Sequence, residues 1–380
     1  TEFMHAMYDQ GGGAGLRDFW DRWCTNPLFA GGFIWVYCDE APKRSDKGGI
    51  LDSDKSNAPD GVVGPRREKE GSYYAIRAQW SPIQLKPLLI TNHFDGSFLL
   101  TNEYTFTNLK DCRMSYKVLT CGTPLQGNTE TGKVIAEGGV QLPSINPGET
   151  GTARFELPDS FREGDILELE AFDKEGKSIC NWTYPIHLVK RYFERKLTQA
   201  APTPAPPKAE ARQTADAIEL KSSKVCVTFD AATGMIRHIT SGETEVPFKD
   251  GPVAVGMKMR YEPSLSYTRH SSDGAIYCAK YKGAADSIVW RLTNEGLLYM
   301  DAILLNRGSG GSGFDDAFMD SQIFNLGLTF SYPEQNCSGM KWMGRGPYRV
   351  WKNRIPGTNY SIWHKDYNNT ITGESFENLI

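Results

Sequence analysis

Apolar positions set two different rhythms along the chain. Leu16, Phe19, Trp20 and Trp23 recur at i, i+3, i+4 and i+7, which predicts a helix with one apolar stripe and charges on its other side. Residues 31–40 then run Gly-Gly-Phe-Ile-Trp-Val-Tyr-Cys-Asp-Glu, a short apolar stretch ending in two carboxylates. That pattern suits a buried strand delivering polar groups at its C-terminal end. Thr1-Glu2-Phe3-Met4-His5 precedes the helix, so strand, helix and strand form a βαβ unit of the kind found in barrels. Lys43 to Asp60 is polar and predicts a long loop over the carboxyl end of the second strand. Ser72 is placed to cap a short helix carrying Tyr73, Tyr74, Ile76 and Arg77.

From about residue 82 the period becomes two. Phe98, Leu100, Tyr104 and Phe106 share one face, with Leu99, Thr101, Glu103 and Thr105 on the other, as in half-buried antiparallel strands. Met114-Tyr116-Val118, Ala153-Phe155-Leu157 and Leu167-Leu169-Ala171 continue the alternation between turns such as Asn146 to Glu149. The size and spacing suit an immunoglobulin-like sandwich. Residues 198–216 hold Pro202, Pro204, Pro206 and Pro207 among alanines, the composition of a semi-rigid connector. Beyond it, Val225-Val227-Phe229 and Ile288-Trp290-Leu292 alternate again. The predicted fold class is therefore multidomain: the C-terminal part of a (β/α)8 barrel over 1–82, an immunoglobulin-like β-sandwich over 83–197, a linker over 198–216, and a truncated large β-sandwich domain over 217–380.

At 380 residues, with 39% hydrophobic and 12% aromatic residues and a net charge of -4, the chain has the composition of a globular protein. No basic stripe points to nucleic acid. The apolar runs are far shorter than the roughly 20 residues of a membrane-spanning helix. Cytoplasmic, periplasmic and secreted locations all remain open. The eight cysteines are dispersed, with no C-x-x-C pair and no histidines at zinc spacing, and are expected as scattered buried thiols.

Three blocks, in order, resemble glycoside hydrolase family 2, in its β-galactosidase-like branch. Glu2-Phe3-Met4-His5-Ala6-Met7 is similar to the E-Y-x-H-A-M segment at the end of the seventh barrel strand. Gly31-Gly32-Phe33-Ile34-Trp35 resembles the eighth strand, leading to Asp60-Gly61-Val62-Val63 and Arg66-Arg67. Trp342-Met343-Gly344-Arg345-Gly346-Pro347 is similar to the W-x-G-R-G-P signature of the terminal domain.

The resemblance implies a retaining exo-β-glycosidase, β-galactosidase foremost, acting on terminal β-linked sugars. Such enzymes use two carboxyl groups about 5 to 5.5 Å apart, one attacking the anomeric carbon and one serving as acid and base. Glu2 takes the nucleophile's place. The acid/base carboxylate belongs to an Asn-Glu pair on an earlier strand, so the chain is expected to be the downstream part of a longer enzyme. His5 would hydrogen-bond sugar hydroxyls, Trp35 would stack against a pyranose, and Asp60 would contact the sugar. Asp39 and Glu40 are expected either on sugar hydroxyls or paired with Lys43 and Arg44.

A magnesium ion is implied with ligands upstream, so no metal-ligating residue is named. A sodium site is in doubt because Asp60 replaces the family's asparagine. Oligomerisation is implied as a family tendency. Tyr8 and Val36 depart from the family pattern and leave β-glucuronidase, β-mannosidase and arabinosidase as alternatives. A non-catalytic carbohydrate-binding β-sandwich protein is the reading from outside the enzyme class.

Overall fold

The computed structural model describes residues 2–5, 13–51, 60–122, 132–187, 205–255, 261–281, 285–304, 327–348, 350 and 354–368. Two compact units divide the chain, one of residues 1–199 with 338–380 and one of residues 200–337. The described residues of 338–368 thus group with the first unit rather than with the described residues of 217–337.

The first unit opens with strand Glu2–His5, helix α1 at Leu16–Cys24 and strand Phe33–Trp35, and the two strands pair in parallel. This is the expected βαβ unit. The two-stranded parallel pair and a parallel bridge between Cys38 and Val63 do not by themselves make the (β/α)8 barrel expected over 1–82. The apolar stripe of α1 is used as predicted at Leu16, fully buried, and at Trp20, whose ring sits 5.1 Å from Trp80 and edge-on to Phe29 at 5.5 Å. Helix α2, Gly71–Gln79, receives α1 at its C-terminal end: Arg17 Nη1 donates to the Gln79 carbonyl at 3.0 Å, and Gln79 Nε2 donates to the Gly13 carbonyl at 3.1 Å. Ser72 is not its cap. Glu70 holds the N-cap position, and Ser72 Oγ instead donates to the carbonyls of Gly61 and Val62, each at 3.2 Å.

The sandwich follows as a three-stranded sheet, Ile83–Leu85, Ser97–Asn102 and Thr150–Arg154, facing a four-stranded one, Ser178–Pro185, Ile166–Phe172, Arg113–Thr120 and Lys133–Val140. Phe98, Leu100, Met114, Val118, Leu167 and Leu169 fill the space between, each 4% exposed or less. The predicted alternation fails at one place. Strand Ser97–Asn102 ends before Phe106, which is 94% exposed. Asn102 is the cause: its Nδ2 donates to the carbonyls of Thr107 and Ile145, each at 2.8 Å, and its Oδ1 accepts the Tyr104 N–H, so the chain turns out of the ladder. Arg77 ties α2 to this sandwich by donating to the carbonyls of Ile179 and Ser178 at 2.8 and 3.1 Å.

The hairpin Gly339–Gly346 with Asn359–Asp366 completes the first unit, and Thr183 Oγ1 accepts the Tyr360 N–H at 2.5 Å. Trp342 and Trp363 pair across this hairpin, and their indole N–H groups donate to the carbonyls of Arg345 and Gly344, each at 3.1 Å. Gly346 is required there, since a Cβ would stand 2.8 Å from Trp363 and 2.9 Å from Trp342.

The second unit is also antiparallel β. A five-stranded sheet runs from Glu210–Gln213 through Ala217–Lys221, Val225–Asp230 and Ile236–Ser241 to Thr244–Glu245. A four-stranded sheet holds Leu265–Ser271, Gly274–Lys280, Ala285–Thr293 and Leu298–Leu304. Val227, Phe229, Tyr277, Ile288 and Leu292 are fully buried in its core. The end of the expected connector is therefore strand: Glu210–Gln213 pairs with Ala217–Lys221, and Ala209 beside it is buried.

Candidate functional site

The strand carrying Trp35 changes partner along its length. Met4 lies opposite Ile34 and His5 opposite Trp35 in the parallel pair. Past Trp35, the Val36 N–H donates to the Asp60 carbonyl at 3.3 Å, the Val62 N–H returns to the Val36 carbonyl at 2.7 Å, and the Val63 N–H reaches the Tyr37 carbonyl at 3.1 Å. Backbone pairing therefore brings His5, Trp35 and Asp60, distant in sequence, into neighbouring positions. The Trp35–Val36 peptide bond is cis. Phe33, Trp35 and Tyr37 are 73%, 40% and 65% exposed, so an aromatic edge faces outward from a strand predicted to be buried. The Arg67 guanidinium lies over the Tyr37 ring, 5.2 Å from its centroid.

Behind that edge the interior is acidic. Asp39, Asp60 and Glu70 are buried at 5%, 7% and 2% exposure. Asp39 Oδ1 accepts the Gly61 N–H at 2.7 Å, and the Asp39 N–H donates to the Val63 carbonyl at 3.0 Å. The approach is so close that a Cβ on Gly61 would stand 2.6 Å from the Cys38 carbonyl carbon and 2.7 Å from Asp39 Oδ1. Only glycine fits. Burial raises the Asp39 carboxyl from 3.8 to about 7, opposed by the Gly61 hydrogen bond and reinforced by the charges of Asp60 and Glu68. Arg354, from the segment after the Trp342–Pro347 block, is 1% exposed and lies against Gly71 at the start of α2.

Among the residues singled out by sequence, Trp35 and Asp60 are brought together, one half-exposed and one buried. Glu2 and His5 occupy the adjacent strand, and their side chains lie outside the described residues, as does Tyr8. Asp39 turns inward to Gly61, away from the alternative pairing with Lys43 and Arg44. Arg44 binds Asp46 in two contacts of 2.8 and 2.6 Å, and Glu40 is exposed. Nothing local in the chain signals the Asp39–Gly61 bond across 22 positions beyond a carboxylate ending an apolar run.

No group of three or more His, Cys, Asp or Glu that could hold a metal occurs among the described residues, so no side chain is assigned to magnesium or sodium. No helix among them is long and apolar enough to cross a membrane. A cavity of about 590 Å³ opens on the sandwich beside Tyr116, Gln141 and Arg154, and none of its lining residues belongs to the Trp35–Asp60 region.

Residues 98–182, most of the sandwich, match the family model for β-galactosidase domain 4. A β-galactosidase of Actinobacillus pleuropneumoniae is 25% identical over 177 residues, covering 44% of this chain and 16% of that protein. One from Klebsiella pneumoniae (strain 342) is 21% identical, covering 96% of this chain and 38% of that protein. The chain thus spans well under half the length of these relatives. Among solved structures, the exo-chitosanase CsxA of Amycolatopsis orientalis matches at 8% identity over 72% of this chain and 31% of its own, with a TM-score of 0.21, too low to establish a shared fold.

Proposed function

We propose, from the premise that this chain is a β-galactosidase-like family member at low identity, that it is part of a retaining exo-β-glycosidase, most closely a β-galactosidase. Glu2 is the nucleophile, forming a glycosyl-enzyme intermediate that water then hydrolyses. The second carboxyl comes from outside these residues and acts first as acid, then as base. His5 and Asp60 hydrogen-bond sugar hydroxyls, and Trp35 presents its ring to the C–H face of a pyranose.

The observation that supports this reading best is the backbone pairing itself. The parallel register of Glu2–His5 with Phe33–Trp35, followed by the Val36 to Asp60 hydrogen bond, puts the segments of all four residues side by side. Trp35 is half-exposed beside a buried acid, a mixture of flat apolar surface and a few polar groups that suits a sugar.

The test is a panel of nitrophenyl glycosides offered to the full-length enzyme. Release of nitrophenol from the β-galactoside in preference to the β-glucuronide, β-mannoside and α-arabinoside is the expected result. Glu2→Gln should lower that rate by on the order of 10⁴-fold or more. Activity on none of the glycosides would return the chain to the carbohydrate-binding alternative.

A further inference from the structure

Asp39 is the buried acid that the proposed chemistry leaves without a role. Its Oδ1 takes the Gly61 N–H at 2.7 Å, while its Oδ2, also buried, has no hydrogen-bond partner among the described residues. Such an oxygen is costly to bury as an anion and far less so as a neutral acid. Gly61 directly follows Asp60, and the carbonyl of Asp60 is held from the other side by the Val36 N–H. The strand that carries Trp35 therefore grips the main chain both at Asp60 and just beyond it.

We propose that Asp39 is a positioning residue for Asp60: its Oδ1 fixes the Asp60–Gly61 peptide, and the charge on its unpartnered oxygen governs how well Asp60 receives a sugar hydroxyl. The inference rests on Asp60 being a sugar ligand. Among the described residues, the acidic groups facing Asp39 are Asp60 from the 60–63 segment and Glu68 from the next turn. Arg67, on that same turn, acts on the neighbouring Cys38 and Tyr37. With its carboxyl raised to about 7, Asp39 is neutral at pH 5.5 and charged at pH 8.5. In the charged state two carboxylates crowd one buried corner, and the repulsion disturbs the Asp60 turn.

The experiment uses the full-length enzyme and methyl β-D-galactopyranoside in calorimetric titrations at pH 5.5 and 8.5. Wild type should bind about tenfold more weakly at the higher pH. Asp39→Asn, which keeps an oxygen for the Gly61 N–H, should bind equally at both. Asp39→Leu, which does not, should bind about tenfold more weakly at pH 5.5, an effect of the size of one lost hydrogen bond to a buried group. A pH dependence that persists in Asp39→Asn overturns the proposal.

Amide exchange at Gly61 gives a readout without sugar. Faster exchange in Asp39→Leu than in Asp39→Asn supports positioning, and equal protection in both overturns it. If Asp60→Ala leaves galactoside affinity unchanged while that exchange difference stands, the sugar-ligand reading of Asp60 is what fails.

Discussion

The sandwich and the segment that precedes it are built on opposite plans. Between its two sheets the sandwich buries Phe98, Leu100, Leu167 and Leu169 and leaves Leu99 between them exposed. Around Trp35 the order is reversed: aromatic rings at 33, 35 and 37 are exposed, and carboxyl groups at 39, 60 and 70 are buried. A sandwich interior needs only apolar volume at the right period, and many residues satisfy that. The sugar site proposed around Trp35 needs a flat apolar surface at its mouth and polar groups held rigidly behind it, which turns carboxyl groups inward and makes each buried group answerable to a partner.

The largest difference between the regions should appear on truncation. Phe161→Ala, in the sandwich at 2% exposure, removes a ring packed 5.8 Å from Phe94 and should destabilise the protein by about 3 to 5 kcal/mol in chemical denaturation. Galactoside affinity measured on the remaining folded enzyme should be unchanged, and a matching loss of affinity would erase the distinction drawn above.

Next in size is a pair of glycines. Gly61→Ala drives a methyl group into the Cys38–Asp39 backbone and should lower stability by about 1 to 3 kcal/mol, together with galactoside binding. Gly139→Ala, on the sandwich edge with nothing within 4 Å of its Cβ, should change neither. Equal effects of the two would show that the packing at Gly61 carries no special constraint.

The pH dependence sharpens the contrast further. The folded Asp39 carboxyl lies near 7, above its ordinary 3.8, so folding favours its protonated form. The stability it contributes is complete below about pH 4 and is lost as pH rises through 7. Asp39→Asn should therefore flatten the fall in stability between pH 4 and 7, as read from denaturation midpoints at several pH values. A slope as steep as wild type would assign that titration elsewhere.

The smallest effect belongs to the sandwich surface. Lys117 and Glu168 pair at 3.7 Å on neighbouring strands, both partly exposed, and Lys117→Ala should shift stability by less than about 1 kcal/mol.

Legibility in the sequence followed the same divide. The alternation at 98–100, 114–118 and 167–171 located sandwich strands because burial on one face is a local, periodic signal. It overran at Phe106 because the Asn102 side chain ends the strand through bonds to Thr107 and Ile145, the second of them far along the chain. The stripe on α1 was readable for the same periodic reason, the strand at 33–35 only as a short apolar run whose expected burial does not hold, and motif resemblance drew attention to Trp35 and Asp60. The inward turn of Asp39, the close approach at Gly61 and the burial of Arg354 against Gly71 depend on contacts between distant segments. No local pattern records those. Ser72 shows the ambiguity in miniature: a serine near a helix start suits a cap, yet its hydroxyl serves the Gly61–Val62 turn.

The account turns on Glu2 as the residue that takes the sugar. Incubating the full-length enzyme with a 2-deoxy-2-fluoro-β-galactoside and mapping its peptides by mass spectrometry tests this directly. The account predicts one fluorogalactosyl group on the peptide containing Glu2, with loss of activity in proportion to labelling. Labelling of a different carboxylate, with Glu2 unmodified in the inactivated enzyme, would contradict it.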